Sequence, residues 1–354
     1  MKKLGTYIWI VSTIGIGWGT IGLLANGTRL LVKGFSVDVH VNLASVADAS
    51  QIATSSPQID LSQTTSSTEI NNKEIKIFIG GDIMFDRDIR ARANIKGYDS
   101  ILSKVAPIFK SADIAVANLE GPITTFPSHT LLVNNVMTNE LIFTFASTTA
   151  TALKNAGISL VSLANNHSYN FGAEGLMQTK KFLSNSEIDW FGDPNNIPAT
   201  EKTICMEACF AFVGYHEFTP GFEKILADIT RLSQKGYEVI VMPHWGDEYA
   251  AVAPSRIRDK ARQLVQAGAN IIIGSHPHVV EDKEWINNVP VIYSIGNLIF
   301  DQYFNQEVKG GLIVELTFDT ANNHAELNKI LLQKIMNEST SGPILVGQPV
   351  EFKL

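Results

Sequence analysis

His276-Pro277-His278 lies at the end of the apolar run Ile271-Ile272-Ile273, is opened by Gly274-Ser275, and sets two imidazoles one residue apart across a rigid proline. The proline stiffens the turn, so both rings can be aimed at one point, and neutral imidazole is the commonest protein ligand of a transition metal. Alone, the triplet could as well be a polar loop. Its weight comes from five further apolar runs that end in metal-competent or hydrogen-bonding residues. Residues 75–79 lead through Gly80-Gly81 to Asp82, and residues 114–117 lead to Asn118, Leu119, Glu120 and Gly121. Residues 158–163 lead to Asn165, Asn166 and His167, and residues 239–242 to Pro243, His244 and Trp245. The run 291–294 delivers Gly296 and Asn297.

The residue types define the chemistry on offer. Asp82 could be a hard ligand for a divalent ion or the cap of a following helix. Glu120 could bridge two ions or hold one, and could equally be a surface carboxylate. Asn166 can offer an amide oxygen, and His244 would complete a ligand set with His276 and His278. His167, beside Asn166, is the natural proton donor to a leaving group. Arg87 is the best-placed cation to grip an anion in bidentate fashion, or it is a surface arginine at a helix start. Asn297, Asp301 and Gln302 could orient ligands, contact substrate or cap a turn, and His216 ends another strand near the same place. His40, His129 and His324 lie in polar or loop segments and read as solvated.

These clusters have to be brought together by the elements between them. The apolar runs read as strands, and segments 173–186, 222–235 and 255–268 carry helical periodicity, so the alternation predicts an α/β fold. In open α/β sheets ligands bind beyond the carboxyl ends of the strands. That rule gathers residues spread over two hundred positions onto one rim.

The chain has 354 residues, 45% of them hydrophobic, which is ample for a core. Residues 6–25 carry no charge and, at about 1.5 Å per residue, would reach roughly 30 Å, the thickness of a bilayer's hydrocarbon. This segment reads as a membrane anchor or as a cleaved secretory signal, and either predicts export. Residues 1–28 are therefore expected to form a cytoplasmic stub and transmembrane anchor. Residues 29–72, without Lys or Arg between Lys33 and Lys73 and rich in Ser, Thr, Ala, Gln and Asn beyond position 42, read as a flexible juxtamembrane stalk. Residues 73–354 make the folded domain. Net charge is −7 and no basic cluster with interleaved aromatics occurs, which excludes nucleic acid as an expected partner. Cys205 and Cys209 face each other across an expected hairpin, bridged or as two half-buried thiols. Cys-x3-Cys with no second Cys or His pair nearby is not a zinc site.

Gly81-Asp82-Ile83-Met84, Asn118-Leu119-Glu120-Gly121, Ala164-Asn165-Asn166-His167, His244-Trp245-Gly246, Gly274-Ser275-His276-Pro277-His278 and Tyr293-Ser294-Ile295-Gly296-Asn297 with Phe300-Asp301-Gln302 resemble the CapA family of bacterial poly-γ-glutamate capsule synthesis proteins. Six motifs in order, over about residues 74–316, carry the resemblance. It implies a fold like the calcineurin-like metallophosphoesterases, a four-layer α-β-β-α sandwich with metals at the strand ends. It also implies Asp82, Glu120, Asn166, His244, His276 and His278 as metal ligands, His167 as the acid, and a divalent ion (Mn, Zn or Fe) as cofactor. Arg87, Asn118, Asn297 and Asp301 are expected to contact substrate. Met84 departs from the Asp-x-His with which metallophosphoesterases begin, and a thioether cannot replace imidazole on a hard or borderline ion. Glu120 stands where those enzymes have Asp.

Two classes of function follow. One is an extracytoplasmic, membrane-anchored hydrolase or transferase that acts on poly-γ-glutamate or its linkage. The other is a non-catalytic scaffold that grips the same anionic polymer beside other membrane proteins of capsule synthesis. A metallophosphoesterase of another substrate is a further alternative.

Overall fold

The computed structural model describes residues 29–32, 35–38, 73–130, 141–197, 200–321 and 324–353. The chain divides into two compact units, Met1–Ser67 and Thr68–Leu354. In the first, β1 (Arg29–Val32) and β2 (Phe35–Asp38) pair antiparallel. The proposed anchor at residues 6–25 lies outside the described residues, as does most of the stalk. Among the described residues no helix is long and apolar enough to cross a membrane.

The second unit is a mixed α/β fold built on two sheets. Its strands are, in order, β3 (Lys73–Ile83), β4 (Ile114–Leu119), β5 (Leu160–Ser162), β6 (Asp189–Phe191), β7 (Glu201–Cys205), β8 (Cys209–His216) and β9 (Glu238–His244). There follow β10 (Ile271–Ile273), β11 (Lys283–Ile286), β12 (Val289–Ile292), β13 (Asn297–Ile299), β14 (Gly310–Ala321), β15 (His324–Glu338) and β16 (Gly342–Glu351). One sheet has the order β16-β15-β14-β3-β4-β5-β6 with β13 also on β3; the other runs β11-β12-β10-β9-β8-β7. β3, β4, β5 and β6 are parallel, as are β8, β9, β10 and β12, so each sheet delivers several strand ends to one edge.

The period of two in the strands assigns side chains to layers. On β3, Ile75, Ile77 and Ile79 enter the core between the sheets, while Phe78 and Ile83 join the core under the outer helices. On β8 and β9, Phe210, Phe212, Ile240 and Met242 face the other sheet, and Ala211, Val213, Val239 and Val241 face outward. The outward set meets Ile225, Ile229 and Leu232 of helix Phe222–Gln234 and Ile257, Ala261 and Leu264 of helix Ser255–Ala267, each at i, i+4, i+7. Each fully buried Ile or Phe contributes about 1.5–3 kcal/mol, so this two-sided burial is what fixes the strand register.

Helix Gly172–Asn185 matches the expected 173–186, and the six expected strands all form. Cys205 and Cys209 sit opposite each other at the turn end of the β7–β8 hairpin and are joined by a disulfide. Gly81 is required by a close approach: a Cβ there would lie 1.8 Å from the Gly296 carbonyl oxygen, the same oxygen that accepts the Asp82 amide at 3.1 Å. That contact binds the end of β3 to the segment entering β13 and places Asp82 and Asn297 as register partners.

Candidate metal centre

Asp82 ends the buried face of β3 with no exposed surface. Asn118 Nδ2 donates to its Oδ1 at 2.7 Å, the His276 amide donates to Oδ2 at 3.1 Å, and His278 Nδ1 stands 3.6 Å away. Burial pushes the Asp82 carboxyl up to about 6, against the hydrogen bonds from Asn118 and the His276 amide, which favour its ionised form. Glu120, at the end of β4, is fully buried and neither carboxylate oxygen has a hydrogen-bond partner. Its Oε1 is 3.7 Å from His278 Nε2 and 4.0 Å from His167 Nε2. Burial, then the Asp82 charge, raises its pKa well above the usual carboxylate range.

The His-Pro-His turn is strained: His276 and His278 have φ of 99° and 59°. Non-glycine residues rarely occupy the left-handed region, and such outliers gather at functional sites. Asn297 Oδ1 lies 2.9 Å from His278 Nδ1, and Asn297 Nδ2 donates to the carbonyls of His278 and Val308, so the Asn297 oxygen can only accept. His278 therefore carries its proton on Nδ1 and turns a bare Nε2 toward Glu120. Burial drives His276 down to about 4 and His278 to about 3, which keeps both rings in the neutral, ligating form. His244 is lowered well below its ordinary value by the same cause.

A second convergence adjoins the first. His244 Nε2 lies 2.9 Å from Asn166 Oδ1 and 3.2 Å from His276 Nδ1, while His244 Nδ1 is held by Ser275 Oγ at 3.0 Å. Asn118 connects the two halves, touching both Asp82 and His244 Nδ1 (3.3 Å), and its own Oδ1 accepts from Asn165. Asn165 Oδ1 in turn accepts the amides of His167 and Ser168, which fixes the loop carrying His167. His167 Nδ1 meets Asn170 Oδ1 at 3.1 Å, leaving Nε2 to face Glu120.

Asp82, Glu120 and His278 form a group whose ligand atoms all lie within 4.8 Å of one another and could hold a metal ion. The orphaned oxygens of Glu120 are the observation that fits a cation here. A dry carboxylate without donors costs several kcal/mol, and a divalent ion offsets that cost for two carboxylates at once.

The other expected site residues fall differently. Arg87 and Asp301 pair with each other through two contacts, Nε to Oδ2 at 3.2 Å and NH2 to Oδ1, and the Asp88 amide also donates to Asp301. The Arg87 guanidinium stacks over Phe143 and Phe300. Much of Arg87 is thus committed to the protein. Asn118 touches Asp82 and His244, and Asn297 touches His278, so both asparagines contact candidate ligands. Met84 is fully buried in the apolar core, and its sulfur accepts the Asp86 amide at 3.0 Å, so it supplies nothing to the centre.

Sequence reasoning passed over Asp86. It is fully buried and accepts from the amides of Arg87 and Thr144 and from Ser128 Oγ (3.0, 2.9 and 2.7 Å), tying together the loops around His167. Its place just before helix Arg87–Lys96 was the available signal, since an Asp there caps the helix start. The exposed aromatics Phe218, Tyr249 and Phe304 were also missed; Phe218 lies 4.6 Å from the His276 ring and Tyr249 6.2 Å from His278.

Asn297→Ala removes the acceptor that fixes His278 and is expected to weaken metal binding about 10–100-fold without unfolding the domain. Calorimetric titration of the metal-free protein checks this; unchanged affinity would show that Asn297 does not orient the ligand.

Two sheets that deliver carboxylates, amides and imidazoles from parallel strand ends to one buried cluster define an α/β protein with a candidate metal centre. The chain belongs to the family of bacterial capsule synthesis proteins designated PGA_cap, which it matches over residues 76–302. It is 29% identical over 252 residues to the PGA biosynthesis protein CapA of Bacillus subtilis (strain 168), covering 66% of this chain and 65% of that protein. It is 28% identical over 265 residues to the capsule biosynthesis protein CapA of Bacillus anthracis, covering 68% and 64%. The match thus spans less than two thirds of the length of either relative. Among solved structures it is similar to a hypothetical protein from Thermus thermophilus (16% identity, TM-score 0.43, 78% of this chain and 99% of that one). It is also similar to the NAD nucleotidase of Haemophilus influenzae (13% identity, TM-score 0.41, 78% and 60%).

Proposed function

We propose that this chain is a membrane-anchored, extracytoplasmic protein of poly-γ-glutamate capsule synthesis or export, and that its centre is a metal-dependent hydrolytic site for that polymer or its linkage. The observation that carries the chemical part is Glu120, buried and unpartnered beside Asp82 and His278. The family, and the capsule and PGA biosynthesis roles of the two Bacillus relatives, support the capsule part. The uncharged stretch 6–25 supports the anchor, and the Cys205–Cys209 disulfide supports an oxidising compartment. Partners are the anionic polymer and other membrane proteins of capsule synthesis.

Asp82, Glu120 and His278 would hold one ion, and Asn166, His244 and His276 offer a neighbouring position. Mixed oxygen and nitrogen donors suit Mn, Zn or Fe. Such an ion would supply Lewis-acid polarisation of the attacked carbonyl or phosphoryl group and activation of water near neutral pH. The protein's own contribution is positional. Asn118 and Asn297 lock the ligand side chains. Burial keeps the imidazoles neutral, and it lowers His167 to about 4. With Nδ1 held by Asn170, His167 takes up and returns a proton at Nε2, the atom turned toward the cluster.

Full-length protein incubated with purified poly-γ-glutamate and Mn2+ or Zn2+ tests the reading. Shortening of the polymer with release of new amino ends, abolished by chelation, is the expected result. Retention of the polymer without any bond cleavage would replace the hydrolase with the binding scaffold.

A further inference from the structure

Tyr249 stands in the left-handed region of the backbone, with φ of 65°. That conformation is rare and costly for an aromatic residue and persists only where the surroundings impose it. Here they do. The Tyr249 amide donates to the Pro277 carbonyl at 2.8 Å, inside the His-Pro-His turn, and the phenol oxygen accepts from Gln302 Nε2 at 3.1 Å. Gln302 Oε1 accepts in turn from Asn297 Nδ2, the side chain that also meets His278. Toward the start of the same segment the Gly246 amide donates to Glu217, and Arg256 donates to Asp247 at 2.7 Å. None of these contacts takes the ring out of water, and Tyr249 is 44% exposed.

Its ring lies 6.2 Å from that of His278, and Phe304, itself 65% exposed, meets it edge-on at 5.2 Å. Phe218, 49% exposed, stands edge-on to His276 at 4.6 Å. Each imidazole of the turn thus has an exposed aromatic ring beside it. A ring held in solvent by a strained backbone contributes little to the core and is stabilised only when an apolar surface covers it. The charges that bear on Tyr249 select that surface. Burial raises its phenol to about 12, and the negative charges of Glu248 and Glu120 act in the same direction. Arg87 acts the other way, but its guanidinium is paired with Asp301. Neighbouring carboxylates and electron-rich ring faces repel anions and accept neutral groups.

Resting on the reading of the centre as a site for poly-γ-glutamate, we propose that Tyr249 and Phe304, with Phe218 on the His276 side, form the wall that recognises the uncharged methylene and amide stretch of the γ-linked main chain. In that chain the methylenes lie in the backbone next to a neutral amide, and the carboxylate branches away to solvent. In an α-linked chain the same methylenes lie in the side chain and end directly in the carboxylate, so packing them on the wall would draw the charge toward Glu248 and the ring faces. The wall therefore reads linkage rather than charge.

Calorimetric titration of Mn2+-loaded full-length protein with γ-linked oligoglutamate, and with α-linked oligoglutamate of equal length, tests this. Wild type should bind the γ-linked oligomer about 10-fold more tightly, the worth of a pair of covered methylenes. Phe304→Ala and Tyr249→Ala should each weaken that binding by about 10-fold with metal content unchanged, whereas Tyr249→Phe, which keeps the ring, should bind like wild type. Alanine variants that both bind as wild type overturn the wall and leave the polymer reading standing. Equal affinity of wild type for the two linkages overturns the recognition of linkage. Wild type that holds metal and binds neither oligomer overturns the polymer reading and the wall with it. If Tyr249→Ala loses metal, Phe304→Ala decides, since that ring is mostly in solvent.

Discussion

His167→Gln is expected to lower polymer turnover about 10²–10⁴-fold while the protein stays folded, metal-loaded and able to bind polymer. Glutamine keeps size and polarity but removes the titratable ring nitrogen. The geometry makes the expectation specific. His167 Nδ1 is engaged by Asn170, so proton traffic is confined to Nε2, which faces Glu120 at 4.0 Å. A proton carrier is needed to break a bond and is not needed to grip a carboxylate polymer. In a strain lacking the gene, the variant should therefore fail to restore capsule. Full restoration by His167→Gln, with polymer shortening in vitro at the wild-type rate, would remove His167 from the chemistry.

The strand ends were legible because a buried parallel strand reads as an apolar run and its chemistry begins where the run stops. Residues 271–273 and 239–242 announce β10 and β9 in this way, and β3 needs only Gly80-Gly81 to carry the run into Asp82. The helices at 222–234 and 255–267 were equally legible from apolar residues at i, i+4, i+7. The antiparallel strands β14, β15 and β16 were not. β15 contains Leu327, Leu331, Leu332, Lys334, Met336 and other good helix formers, and the shift in register near Leu332 and Lys334 breaks the alternation that would have marked a strand. Pairing with β14, itself on β3, overrides the local preference.

Residue type alone also left roles open within the centre. Asn297 could orient ligands, contact substrate or cap a turn, and its 2.9 Å contact with His278 Nδ1 favours the first. Arg87 read as an anion grip or as a surface arginine at a helix start, and its pairing with Asp301, more than two hundred positions away in sequence, could not be foreseen. His216 was placed near the rim by its strand, yet its unpartnered nitrogen depends on the Pro194 carbonyl, which no spacing rule reveals.

The central claim is that the strand ends converge on a metal. Changing His276 and His278 together to Ala removes an imidazole from each half of the centre and leaves Glu120 with no ring nitrogen from the His-Pro-His turn beside it. Loss of bound metal should then be complete, a larger effect than that of any orienting residue. Element analysis of full-length protein purified under metal-replete conditions is the direct measurement. A stoichiometric divalent transition ion in wild type, absent from a folded His276→Ala/His278→Ala variant, is the predicted result. Folded wild type that carries no metal, or a double variant that carries as much as wild type, would contradict it.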